Sequence, residues 1–131
     1  MNLYPQIDKW YMAGHSLGGA MAASYISRHQ DDFEGLILLA AYSTHNISDS
    51  KLKVLSIYGS NDGVLNKDHY AKYRKNLPAI GKGLTEIIIE GGNHAQFAIY
   101  GAQKGDYMAE ISPAEQQEKT AEESAEWMGL K

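Results

Sequence analysis

Lys9-Trp10-Tyr11-Met12-Ala13-Gly14-His15-Ser16-Leu17-Gly18-Gly19 decides how this chain is read. Lys9 to Ala13 is a short, mainly apolar run that stops at Gly14, the pattern of a buried strand. From Leu17 to Arg28 the chain is rich in Ala, Met and Gly, with no turn signal after Gly19. That stretch reads as a helix. Ala20, Met21, Ala22, Ala23, Tyr25 and Ile26 leave it hardly any polar face, so heavy burial is expected. Strand, tight turn and helix in immediate succession open a βα unit.

The remainder continues the alternation. Gly35 to Ala41 is a continuous apolar run bounded by glycine, which suggests a strand covered on both faces. Val54 to Tyr58 reads as a third strand, and Thr85 to Ile89 as the last, ended by Gly91-Gly92. Asn66 is placed to cap a helix running to about Asn76, with Asp68 in its first turn and Pro78 beyond its end. Ser112-Pro113-Ala114-Glu115 combines a capping serine, a proline at the first helical position and a capping-box glutamate. This acidic helix is expected to reach Met128, to stop at Gly129 and to be anchored by Trp127. Asn93 to Ile111 is the one long stretch without periodicity. The expected fold class is α/β: one domain over residues 1–131, with a mostly parallel sheet of about four strands and helices on both faces.

Composition bounds the function. A chain of 131 residues has room for one domain, which buries roughly two-thirds of its unfolded surface. Hydrophobic residues at 44% and charged residues at 21% are ordinary for a globular protein and exclude a disordered one. A formal charge of -4 and a pI near 5.7 imply no basic face, so neither nucleic acid nor an anionic membrane is an expected partner. The absence of cysteine excludes disulfides, thiolate zinc sites and a Cys nucleophile. His29, His45 and His69 show no metal-ligand spacing, and no metal or cofactor is expected. No stretch reads as a targeting leader, and the apolar run Leu36 to Tyr42 is far short of the roughly 20 residues of a membrane helix. The chain reads as a soluble, cytoplasmic protein.

Chemistry concentrates at Gly14-His15-Ser16-Leu17-Gly18-Gly19, a G-x-S-x-G pattern between a strand and a helix. This is the pattern of a nucleophile elbow, in which a strained turn exposes the serine hydroxyl. Gly14 and Gly18 are expected to leave room where side chains would collide. The backbone N–H of Leu17 is the expected oxyanion donor, helped by the helix dipole. The glycine spacing fails the dinucleotide fingerprint, and no lysine follows as in a phosphate loop.

A serine hydroxyl needs a base and an orienting acid. In this arrangement they follow in the order Ser, Asp or Glu, His. Asp62 follows a strand in Gly59-Ser60-Asn61-Asp62-Gly63, and His94 follows the last strand in Gly91-Gly92-Asn93-His94. Taken singly, Asp62 is a turn residue and His94 a surface histidine. Their order, and their shared place with Ser16 at the carboxyl ends of strands, make all three candidate catalytic residues. His15 reads as structural. Asp49 precedes its strand and so lies at the wrong sheet edge to be the acid.

At these three motifs the chain resembles the α/β-hydrolase fold family. It is most similar to the small bacterial serine hydrolases near the dienelactone-hydrolase-like esterases, whose pattern Gly92-Asn93-His94-Ala95-Gln96-Phe97 fits. A dienelactone hydrolase typically has a Cys nucleophile, where this chain has Ser16. The resemblance implies hydrolysis of a small carboxylic ester through an acyl-enzyme, without a cofactor. It spans nearly the whole chain but only the C-terminal half of the family fold. The first strands have no counterpart, nor has the loop that supplies a second oxyanion donor. The first strand should then be an edge, with unpaired backbone groups beside Trp10, Tyr11 and Met12, and an apolar edge associates. A homo-oligomer or a partner chain on residues 8–13 is therefore expected. Two other readings follow: a non-catalytic fragment or subunit that self-associates or needs a separate N-terminal half, and a small-molecule binding module that uses the same cleft without turnover.

Overall fold

A computed structural model describes residues 3–130. Its sheet has four strands: β1 (Tyr11–His15), β2 (Gly35–Leu39), β3 (Lys53–Gly59) and β4 (Leu84–Ile89). They lie in sequence order, β1-β2-β3-β4, and every pairing is parallel. Three helices connect or follow them: α1 (Leu17–Ser27), α2 (Lys67–Tyr73) and α3 (Pro113–Trp127). The α/β class and the parallel four-stranded sheet are as the sequence reads.

Strand alternation divides the core in two. Leu36, Leu38 and Val54 face one side, where Ala22, Ala23 and Ile26 of α1 pack on them with Ile47, Leu52, Leu77 and Leu84. Ile37, Leu55, Ile57 and Ile89 face the other side, against Trp127, Met128 and Ile111. Helices therefore cover both faces, which explains why β2 is apolar at successive positions. Full burial of a side chain such as Ile26 stabilises the fold by about 1.5–3 kcal/mol.

Caps set the helix ends. Ser112 Oγ accepts the Glu115 N–H at 3.1 Å, and Asn66 Oδ1 accepts the His69 N–H at 2.9 Å. Trp127 anchors α3: its ring meets Tyr11 edge-on at 5.6 Å, and Lys53 Nζ lies 4.7 Å above it.

Some boundaries move. The first strand begins at Tyr11, two residues later than Lys9, because its register is set by pairing Tyr11 with Gly35. Trp10 stands just outside the ladder, its carbonyl accepting the Glu34 N–H at 2.8 Å. β2 ends at Leu39 rather than Ala41, because Ala40 takes φ 51° and turns the chain away. α2 stops at Tyr73, and a single 3-10 turn, Arg74–Asn76, completes the predicted span. β1 is an edge strand: β2 is its one hydrogen-bonded neighbour among the described residues.

Candidate active site

Parallel strands bring their carboxyl ends to one edge of the sheet. Ser16 follows β1 directly, Asp62 lies three residues after β3, and His94 five residues after β4. The loops after β3 and β4 then cross the sheet end toward Ser16.

Ser16 has φ 58° and ψ −124°, a conformation that non-glycine residues rarely adopt. The turn is held by the Ser16 N–H donating to the Leu39 carbonyl at 2.9 Å and by the Ser16 carbonyl accepting the Gly19 N–H at 3.0 Å. Leu17 is the first residue of α1, and its amide has no acceptor within the helix.

The glycine reading needs one correction. A Cβ on Gly14 would lie 2.5 Å from the Gly18 carbonyl carbon, so Gly14 is required for close packing. A Cβ on Gly18 would meet nothing within 4 Å. The crowded helix position is Gly19, whose Cβ would lie 2.5 Å from the Ala41 Cβ and 2.8 Å from the Gly14 carbonyl oxygen. Gly18 is aligned with the backbone of Gly14 but directs no side-chain position at it, which spacing within a motif does not reveal.

Ser16, His94 and Asp62 form a continuous chain. The His94 Nε2 to Ser16 Oγ distance is 2.9 Å, and His94 Nδ1 lies 2.8 Å from Asp62 Oδ2. A carboxylate only accepts, so Nδ1 carries the proton and bare Nε2 accepts from the serine hydroxyl. His94 is 1% and Asp62 2% exposed, so water does not compete for their hydrogen bond.

Asp62 is fixed on its other oxygen. Oδ1 accepts the N–H groups of Val64 at 2.8 Å and Leu65 at 2.7 Å, an aspartate turn. Burial pushes its carboxyl pKa up, but the His94 hydrogen bond, the Leu65 and Val64 amides and the His94 charge outweigh it. The net shift is downward. Asp62 is therefore held as the anion.

The two loops are locked together by their backbones. The Gly92 carbonyl accepts the Asn61 N–H at 2.8 Å, and Ser60 Oγ accepts the Gly91 N–H at 2.8 Å. Gly59 allows this approach, since a Cβ there would lie 2.8 Å from Asn93 N. Gln116 of α3, fully buried, accepts the Asn93 N–H at 3.0 Å and donates to the Asn93 carbonyl at 2.8 Å.

His15 holds the backbone of His94. Its Nε2 donates to the His94 carbonyl at 2.9 Å, and its ring lies among those of His94, Phe97 and Tyr100. Burial, followed by the neighbouring His94, lowers its pKa. The lowered pKa favours the neutral form of His15.

A groove of about 480 Å³ opens at Ser16 and His94, walled by Leu17, Ala20, Ala41, Tyr42 and Leu65 among others. Most of the lining is apolar, with Thr44 and Asn66 adding polar groups beside Ser16 and His94. A larger hollow of about 650 Å³ lies under the 95–109 loop and is lined by none of Ser16, Asp62 and His94. Among the described residues, no group of acidic, His or Cys side chains could hold a metal ion. No helix of the described residues is long and apolar enough to cross a membrane.

Sequence reading singled out neither Gln116 nor Asp106. Asp106 accepts amide N–H groups from both loops, yet it lies in the aperiodic stretch between Gly105 and Tyr107, where an aspartate reads as an ordinary turn. Gln116 sits in a helix whose exposed neighbours resemble it, so no local pattern marks it as buried.

The geometry can be set beside known proteins. Residues 1–118 match the model of the Alpha/beta hydrolase family. Compared by sequence with curated proteins, the chain matches none. Solved structures share the fold. Est1E from Butyrivibrio proteoclasticus superposes with a TM-score of 0.62 at 15% identity, covering 94% of this chain and 63% of its own. A predicted CIB-like hydrolase from Thermoplasma acidophilum gives 0.60 at 20% identity, with 89% of this chain and 51% of its own. A protein provisionally described as a dienelactone hydrolase, from Klebsiella pneumoniae, gives 0.57 at 20% identity, with 84% and 49%. The chain thus spans about half to two-thirds of the length of these structures.

Proposed function

The chain belongs to the alpha/beta hydrolase family, and from that premise we propose that it is a serine hydrolase of carboxylic esters, with Ser16 as nucleophile, His94 as general base and acid, and Asp62 as the orienting acid. The observation that carries this reading is the unbroken chain from Ser16 Oγ through His94 to Asp62, with links of 2.9 and 2.8 Å.

The chemistry follows from the proton positions. Ser16 Oγ attacks the ester carbonyl carbon while its proton passes to His94 Nε2. The resulting imidazolium is stabilised by anionic Asp62. The carbonyl oxygen becomes an oxyanion beside the Leu17 N–H, at the positive end of α1. Collapse breaks the bond to the alcohol oxygen, which takes the proton from His94 and leaves Ser16 acylated. Water then attacks the acyl carbon with His94 as base, releasing the acid and restoring the serine. The largely apolar groove favours an uncharged acyl or alkyl group. An oxyanion donor of this kind is worth about a hundredfold or more in rate.

The test is intact mass after treatment with a fluorophosphonate, beside a Ser16→Ala control. One adduct, lost in the control, is the expected result. A folded sample that takes no adduct would overturn the reading for this chain alone.

A second reading rests on the open edge of β1. On α1, Leu17, Met21 and Tyr25 recur every four residues on one exposed stripe, at 73%, 65% and 44% exposure. Such a surface favours a subunit that self-associates, or one that acts only once a partner covers the edge.

A further inference from the structure

Resting on the triad reading above, we propose that Asp106 is a positioning residue for it: one carboxylate fastens the loop that carries the acid to the loop that carries the base.

The hydrogen bonds define the role. Asp106 Oδ1 accepts the Gly63 N–H at 3.0 Å, the amide directly after Asp62. His94's own N–H points between both oxygens, at 3.2 and 3.0 Å, and the Ala95 N–H reaches Oδ2 at 2.9 Å. Oδ1 also accepts the Tyr107 N–H at 3.0 Å. Among the described residues no lysine or arginine forms an ion pair with Asp106, so amide dipoles meet its charge. Bonds to an ionised acceptor are roughly twice as strong as neutral ones.

The neighbouring residues extend the splint. Asn61 Nδ2 donates to the Met108 carbonyl at 3.0 Å, and Asn93 Nδ2 to the Tyr107 carbonyl at 2.9 Å. The Glu110 N–H donates to the Gly91 carbonyl at 2.8 Å. Residues 106–110 therefore bridge the same two loops repeatedly, although they form neither helix nor strand. Such a bridge is needed because Ser16, Asp62 and His94 stand on three different strand ends. The His94 ring must meet both partners at once, and a shift of about 1 Å can cost a hundredfold in rate.

Asp106→Asn tests the idea with little change of shape. It replaces one accepting oxygen with an NH2 group. Whichever way the amide turns, either the Gly63 link or the Ala95 link is lost. Two readouts are needed. The first is the downfield proton resonance of His94 Nδ1–H, assigned by its loss in Asp62→Asn and its retention in Ser16→Ala. The second is fluorophosphonate labelling, separated into maximal rate and apparent affinity.

In Asp106→Asn the proton resonance should broaden beyond detection or move upfield, with an unchanged far-UV circular dichroism spectrum. The maximal labelling rate should fall about tenfold to a hundredfold, with little change in affinity. An unchanged resonance, or an unchanged labelling rate in a protein whose wild type labels, overturns the proposal. Asp106→Ser is run in parallel, and failure of both variants to fold would likewise overturn it by making Asp106 a general fold residue. A wild type that shows the Asp106-dependent resonance but takes no label retains the positioning role and removes the hydrolase reading. A wild type without the resonance removes the positioning role itself.

Discussion

Ser16 holds a backbone conformation that its own Cβ disfavours, at φ 58° and ψ −124°. Strain of this kind costs on the order of 1–3 kcal/mol and persists where the surrounding structure imposes it. Ser16→Gly should therefore raise stability by about 1 kcal/mol after glycine's greater entropy loss, whereas Ser16→Ala keeps the strain. Urea unfolding of the two variants checks this, and equal midpoints would refute it. Asp62 makes a second prediction, on pH. Its folded pKa lies below its ordinary value of 3.8, so the folded state binds fewer protons than the unfolded state in that range. The stability it contributes is fully present above about pH 4 and is lost as pH falls through the lower folded value. Stability of wild type and Asp62→Asn, measured from pH 7 to pH 2, should converge at the acid end, and a constant gap would contradict this. On the triad reading, the same substitution should lower the labelling rate by about ten-thousandfold, because an amide no longer selects the Nδ1–H tautomer. These residue identities were legible in the sequence. The positive φ of Ser16 goes with its place in G-x-S-x-G, and Asp62 and His94 stand out by order and by the strands they follow.

At the scale of elements, local chemistry gave reliable helix starts and less reliable strand ends. The Ser112 cap and Pro113 mark α3 because capping acts within four residues. The start of β1 depends instead on where Gly35 lies across the ladder, which residues 9–13 do not encode. The junction of β1 and α1 makes the same point. Gly18 and Gly19 look alike in sequence, but only Gly19 faces Ala41, a residue of another element. Gly18→Ala should therefore be tolerated, and should stabilise α1 by up to about 1 kcal/mol through helix propensity. Gly19→Ala should destabilise by about 1–3 kcal/mol, since its Cβ must displace backbone or Ala41. Thermal melts of the two single variants separate them, and a reversed order would show that the elbow packs differently.

At the scale of the whole molecule, two features stand out among the described residues: a parallel sheet whose edge is β1, and the exposed stripe of Leu17, Met21 and Tyr25 on α1. An apolar edge with unpaired backbone groups is a template for association. Sedimentation velocity should show concentration-dependent association, weakened in Met21→Glu, which places a charge in the centre of the stripe. A wild type that remains monomeric at high concentration would rule out self-association through this surface. The sheet also explains what each level of description holds. Sequence carried the α/β class, the four strands, the helix caps and the order of Ser16, Asp62 and His94, because periodicity, caps and turn residues act over a few neighbours and parallel strands send their ends to one edge. Tertiary structure alone placed Asp106 and Gln116 against the loop that carries His94, moved the required glycine from Gly18 to Gly19, and bonded His15 to the His94 carbonyl. Each of those contacts joins residues distant in the chain or faces another element, and its partner exists only once the sheet has assembled.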